Sequence, residues 1–183
     1  MTACSPSHQR YIGLALATFM LATRFPSFGD ALHLVDASWA IFFIAGFYLS
    51  PLWLGGLMLE AVVIDMVAVG WANVPAYCLT PAYGFLLAAY AVLWQGGRWL
   101  VTRQSLGHLL LAAGVAVPFA FVLSNASFYW LGGQVTEPTW AGFVSQFGVY
   151  LPMYALTAWA YIAVAAIAHR LLTHKRFAAH PAA

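Results

Sequence analysis

The stretch "QSLGHLLLAAGVAVPFAFVLSNASFYWLGGQVT", residues 104–136, contains no Asp, Glu, Lys or Arg. Two further stretches, 66–97 and 138–169, lack these residues as well. Each is long enough for a loop and one helix of about 20 residues, the length that crosses the hydrocarbon core of a bilayer. These stretches predict an all-α integral membrane protein.

The composition of the whole chain supports this fold class. Of its 183 residues, 63% are hydrophobic and only 7% are charged, and the mean hydropathy is +0.82. In soluble domains about a quarter of all residues are charged. We therefore predict one transmembrane domain over residues 1–183, with the lipid bilayer as its surroundings. The formal net charge of +2 indicates no nucleic-acid partner.

Proline and polar residues divide the chain into six predicted transmembrane helices, at about 9–24, 37–50, 52–72, 81–101, 105–124 and 142–172. The pairs Ser50-Pro51 and Thr80-Pro81 predict helix starts, because proline suits the first turn and threonine can cap it. Arg10 precedes a first span that lacks a small-residue cleavage site, so this span is interpreted as a retained helix rather than a signal peptide.

The basic residues predict the topology of these helices. An even number of helices places both termini on one side of the membrane. Arg24 alone falls on the opposite side, and positive charges favour the cytoplasm, so both termini are predicted to be cytoplasmic. The basic residues on the terminal side are Arg10, Arg98, Arg103, Arg170, Lys175 and Arg176.

The outer loops at about 25–36, 73–80 and 125–141 mix aromatic residues with Gly, Pro and a few polar groups. This composition favours a large, partly apolar ligand, although an interfacial aromatic belt has a similar composition. We expect ligand contacts at candidate residues in or beside these loops. They are Asp65, Tyr77, Tyr83, Asn125, Ser127 and Phe128.

Cys78 lies in the second outer loop, just before the predicted start of a helix. The partial positive charge at a helix N-terminus favours the thiolate form of a cysteine, so Cys78 is a candidate nucleophile or metal ligand. The only other cysteine, Cys4, is predicted on the opposite side of the membrane. A haem or a corrinoid would need one axial sulfur only, because its macrocycle supplies the equatorial ligands. A small apolar packing role is the alternative.

Asp65 lies within the third predicted helix, where an ionisable side chain is costly and suggests a functional site. Its position about 10 Å below the outer end of the helix, at 1.5 Å per residue, would make it the floor of an outward pocket. A structural ion pair with Arg24 is the alternative interpretation. Both remain open at the level of the sequence.

The layout of the chain resembles the substrate-binding S-components of energy-coupling-factor transporters. The stretches "AYCLTPAYG" (76–84) and "SNASFYWLGG" (124–133), with Asp65 in the preceding helix, resemble the BtuM family of cobalamin transporters. The resemblance implies a six-helix bundle in the bacterial inner membrane that captures cobalamin at its outer face and carries it inward. It further implies that Cys78 ligates the cobalt, with Asp65 and Tyr83 at neighbouring pocket positions. Sulfur donation would also allow removal of an upper ligand such as cyanide.

S-components usually couple to an ATPase module through an Ala-xxx-Ala face on the first helix. Here only Gly13 and Ala17 approach that pattern, and the chain carries no phosphate-binding P-loop. An energy-coupling-factor module is therefore one expected partner, and a solitary cobalamin binder is the alternative. Three other functions remain open: a membrane enzyme with Cys78 as nucleophile, a haem-binding membrane protein and a structural subunit.

Overall fold

The computed structural model describes residues 6–26, 29, 34–72 and 80–178, the last five of them by backbone alone. Over these ranges the chain is helical and contains no strand. A short 3-10 turn, Leu100–Thr102, follows the fourth helix. The helices are α1 (Pro6–Arg24), α2 (Ser38–Tyr48), α3 (Leu52–Trp71), α4 (Tyr83–Trp99), α5 (Leu106–Leu131) and α6 (Trp140–Ala178).

Within the described ranges, three helical segments are long and apolar enough to cross a membrane. They are Leu52–Trp71, Leu106–Leu131 and Trp140–Thr173. The helix α2 is also apolar, but its 11 residues rise only about 16 Å at 1.5 Å per residue, less than the thickness of a hydrocarbon core. The all-α, membrane-type character predicted from the composition agrees with these segments.

Successive helices alternate in direction, which gives the bundle two ends. At one end, the last residue of α1, Arg24, pairs with Asp65 near the end of α3, and Asp65 accepts a hydrogen bond from Tyr83 at the start of α4. At the other end, Tyr48 in the last turn of α2 is hydrogen-bonded to His169 of α6 at 2.7 Å. We call these the Arg24 end and the His169 end.

The short helix α2 lies in the centre of the bundle, and glycines bring it against α4. A Cβ on Gly46 would overlap the carbonyl oxygen of Trp94, and a Cβ on Gly97 would overlap that of Phe43. Small residues allow such close backbone contact, which drives helix association where lipid removes the hydrophobic term. The hydrophobic core forms around this contact, because most of α2 is buried.

The fifth predicted helix was expected to end at residue 124, and this boundary is wrong. The helix α5 continues to Leu131, so Asn125, Ser127 and Phe128 are helical and the connection to α6 is 132–139. The polar side chains do not break the helix because they bond to its own carbonyls. Asn125 Nδ2 donates to Phe121 O at 3.2 Å, and Ser127 Oγ donates to Ser124 O at 2.6 Å.

The start of the fourth helix also differs from its prediction at Thr80-Pro81. The helix α4 begins at Tyr83, whose amide donates to the carbonyl oxygen of Thr80 at 2.8 Å. The hydroxyl of Thr80 has no hydrogen-bond partner within the described residues, so it does not cap the helix. A backbone turn at Thr80 and Pro81, rather than a side-chain cap, sets the first helical residue.

Candidate functional site

The guanidinium of Arg24 is the centre of a polar cluster at the Arg24 end. Its Nε donates to Asp65 Oδ1 at 2.8 Å, and its Nη2 donates to Asp65 Oδ2 at 2.6 Å. Two parallel bonds of this kind form the strong fork geometry that arginine makes with a carboxylate. The ion pair that the sequence offered as one interpretation of Asp65 is therefore confirmed.

The third nitrogen of the guanidinium reaches three more partners. Arg24 Nη1 donates to Tyr90 OH at 2.7 Å, to Asp36 Oδ2 at 3.1 Å and to Ser38 Oγ at 3.1 Å. The Arg24 side chain is only 10% exposed, so these bonds replace the water that the charge loses on burial. We call Arg24, Asp36, Ser38, Asp65, Tyr83 and Tyr90 the Arg24 cluster.

The cluster connects four helices at one point. Tyr83 OH at the start of α4 donates to Asp65 Oδ2 at 2.7 Å. Asp36 Oδ1 accepts a hydrogen bond of 2.9 Å from the backbone amide of Ser38, the first residue of α2. Tyr90 stacks on Phe42 of α2 with ring centroids 4.1 Å apart. The formal charges are one cation and two anions, and Asp36 is the more exposed carboxylate at 43%.

A cavity of about 480 Å³ opens beside the cluster at the same end of the bundle. Sites for small molecules commonly have 300–1,000 Å³ and combine aromatic walls with a few polar groups. This cavity has both. Its lining consists of Arg24, Asp36, Trp39, Leu86, Tyr90, Ser124, Asn125, Phe128, Tyr129, Gln134, Val135, Gln146, Tyr150 and Tyr154.

The structure places the predicted contact residues in three groups. Asn125 and Phe128 line the cavity. Asp65 and Tyr83 belong to the Arg24 cluster and do not line it. Ser127 is buried, and its hydroxyl donates to the carbonyls of Ser124 and Ala82. The remaining two predicted residues, Tyr77 and Cys78, lie outside the described residues.

Several lining residues were not predicted from the sequence. Asp36 was not singled out, although a lone carboxylate two residues before a helical serine is a recognisable capping signal. Gln134 and Gln146 also line the cavity, and neither was singled out, because nothing in the sequence distinguishes one amide in a loop or a helix as a contact residue. Asp36 could have been predicted from the scarcity of charge in the chain, because an isolated charged residue in an apolar chain needs a polar partner.

The cavity suits a ligand with apolar faces and an amide or hydroxyl edge. The side chains of Asn125, Gln134 and Gln146 both donate and accept hydrogen bonds, and the tyrosine rings offer faces for stacking. Asp36 adds an acceptor of negative charge. Among the residues that the structure describes, no group of three or more His, Cys, Asp and Glu side chains is arranged to hold a metal ion.

No protein-family model matches the chain, and no curated protein matches it either.

Proposed function

We propose that the protein is a transporter of the bacterial inner membrane that captures cobalamin at its outer face and carries it into the cell. In this proposal the thiolate of Cys78 is the axial ligand of cobalt. The cobalamin is the transported substrate and brings its own macrocycle to the site. One soft sulfur then completes the coordination.

The observation that carries the proposal is the position of the cavity. It lies at the end of the bundle where α3 ends and α4 begins, and the segment with Cys78 joins these two helices. Ala72 precedes Cys78 by six residues, and Thr80 follows it by two. We propose that this short connection brings Cys78 to the cavity mouth, because an extended chain spans at most about 3.5 Å per residue and Thr80 is only two residues away.

The chemistry of the lining supports a corrin ligand. A corrin ring is flat and apolar on its faces and carries amides on its rim. The amides of Asn125, Gln134 and Gln146 match the rim, while Phe128 and the tyrosines match the faces. The cavity would receive one edge of the ring, and Asp36 would accept hydrogen bonds from its amides.

The proposed topology has six membrane-spanning helices with both termini in the cytoplasm. The helix α1 begins and α6 ends at the His169 end, where Arg98, Arg103 and Arg170 also lie. Positive charges favour the cytoplasmic side. The one outward basic residue, Arg24, is paired with Asp65 and Asp36, which supports this orientation because its charge is offset locally.

We further propose that the protein works without an ATPase module docked at the Gly13 and Ala17 step. Gly13 is buried, and a Cβ on it would lie 2.7 Å or less from ring atoms of Trp53 in α3. This small-residue step therefore packs inside the chain. A solitary carrier agrees better with that contact than a carrier that uses the step for a partner helix.

The test is an absorption spectrum of the detergent-purified protein after incubation with cobalamin and removal of free ligand. We expect retained corrinoid with bands shifted from those of the free vitamin. In Cys78→Ala the shift or the retention should be lost, whereas the matched control Cys4→Ala should behave as wild type. With cyanocobalamin, replacement of cyanide by the thiolate should release free cyanide, and Cys78→Ser should prevent it.

Two outcomes would contradict the proposal. Folded wild-type protein that retains no corrinoid would exclude cobalamin as the substrate. A Soret band in the protein as purified would instead identify a haem protein, the nearest alternative for a lone sulfur ligand.

A further inference from the structure

A second, smaller cavity lies at the opposite end of the bundle, between α2, α5 and α6. Its volume is about 100 Å³, well below the range of sites for whole small molecules. Its walls are mainly apolar and include Phe47, Leu109, Ile162 and Ala166, while Tyr48 and His169 bond to each other beside it. We call it the His169 pocket.

Two arginines edge this apolar space. Arg103 comes directly after the 3-10 turn that follows α4, and Arg170 directly follows His169 in α6. Neither forms an ion pair within the described residues, where both salt bridges belong to Arg24. The guanidinium of Arg103 lies over the ring of Trp99 at 4.8 Å, which orients the group without neutralising it.

The charges around the pocket have one sign. Of the described acidic residues, Asp36 and Asp65 are in the cluster at the far end, Glu60 is within α3, and Glu137 precedes α6. None of them lines the pocket. The sequence adds Lys175 and Arg176 to the same end of α6. An occupant must therefore combine a negative group at the edge with an apolar part inside.

We propose that the His169 pocket binds an anionic phospholipid, with its phosphate at Arg103 and Arg170 and the upper part of one acyl chain in the apolar space. The cavity lies between α5 and α6, two of the helices that are long and apolar enough to cross a membrane. Lipid molecules would surround these helices and could enter the cavity from the bilayer. Basic pockets between such helices are suited to anionic headgroups. A zwitterionic lipid would bring its own cation against the two arginines.

This site is separate from the cavity at the Arg24 end and does not depend on cobalamin. The bound lipid would join α5 to α6 beside the Tyr48 and His169 contact between α2 and α6. It would thereby hold the end of the long helix α6 in place.

The experiment is native mass spectrometry of the delipidated protein in detergent, titrated with phosphatidylglycerol and separately with phosphatidylcholine. We expect one phosphatidylglycerol to bind with at least tenfold higher affinity than phosphatidylcholine. Arg103→Gln/Arg170→Gln should weaken that first binding event by about 30-fold, since each basic residue near an anionic lipid contributes roughly fivefold. Arg10→Gln, a charge at the same end that does not line the pocket, is the matched control and should leave it unchanged.

A second variant tests the apolar space. Ala166→Trp keeps both arginines but fills the pocket, and it should also abolish the preference for phosphatidylglycerol. Soluble glycerol phosphate, which has the headgroup charge without acyl chains, should fail to displace the lipid. Displacement by glycerol phosphate, or wild-type lipid affinity in the double arginine variant, would overturn the proposal.

Discussion

Arg24 and Asp65 are joined by two parallel hydrogen bonds, of 2.8 and 2.6 Å, although they lie 41 residues apart in the sequence. The pair fastens the end of α1 to α3, and both side chains are largely buried, at 10% and 20% exposure. A buried charge is tolerated only when its partner and its remaining hydrogen bonds are in place. This pair is therefore the element on which the Arg24 end depends most.

Removal of the cation should be strongly destabilising. In Arg24→Gln the carboxylate of Asp65 is left buried without its partner, which typically costs about 3–5 kcal/mol. Chemical denaturation in detergent, followed by circular dichroism, measures the loss. Arg24→Lys is the matched control: it keeps the charge but not the fork, so its loss should be smaller.

The pairing itself is tested by the double variant. Arg24→Gln/Asp65→Asn removes both charges, so its free energy of unfolding should fall by less than the sum of the two single losses. Strict additivity would show that the two side chains do not interact.

The glycine contact between α2 and α4 predicts a second loss of stability. In Gly97→Ala the new methyl group would overlap the backbone carbonyl of Phe43, and backbone cannot move aside as a side chain does. Overpacking of this kind costs about 1–3 kcal/mol or more. The control is Gly114→Ala, where nothing lies within 4 Å of the added Cβ. Equal thermal unfolding of both variants would contradict the packing argument.

Asn125 and Ser127 lie close together on α5, but only Asn125 lines the cavity. Variants of the two residues therefore distinguish ligand contact from the packing of α5. Asn125 lines the cavity, so under the proposed function Asn125→Ala should weaken cobalamin retention by about 3- to 10-fold, the value of one hydrogen bond. Within the described residues, the Ser127 hydroxyl bonds to backbone carbonyls and does not line the cavity, and Ser127→Ala should leave the affinity unchanged. Equilibrium dialysis with cobalamin measures both. The same affinity loss in both variants would mean that α5 is merely perturbed.

Tyr129 fixes the connection between α5 and α6. Its hydroxyl donates to Thr139 O at 3.0 Å and accepts from Thr139 N at 3.1 Å. Tyr129→Phe leaves the amide and carbonyl of the exposed Thr139 without this partner, and we expect a loss of about 0.5–1.5 kcal/mol. Hydrogen exchange should be faster at the Thr139 amide. Tyr150→Phe, on the exposed side of the same cavity, is the control, and faster exchange there as well would contradict a local effect.

The sequence predicted the helical class because long charge-free runs are visible in the order of the residues and require no knowledge of which helices meet. The ends of the helices were harder to predict. Asn125 and Ser127 are residue types common in loops, but their side chains donate hydrogen bonds to carbonyls of their own helix. The pairing of Arg24 with Asp65 could be proposed because two isolated charges in an apolar chain need each other. The roles of Asp36 and Tyr90 could not, because they depend on which helices meet at one end.

The contact of Gly46 and Gly97 with the facing backbones has a practical consequence for measuring motion. Two helices that leave no room for a methyl group cannot slide past each other, so a pair of spin labels, one at the half-buried Ile44 of α2 and one at the exposed Ala88 of α4, would report a constant distance. That distance can serve as an internal ruler. A third label on α6 gives its distance to the labelled pair. If that distance changes on addition of cobalamin or phosphatidylglycerol, the movement can be assigned to α6 alone.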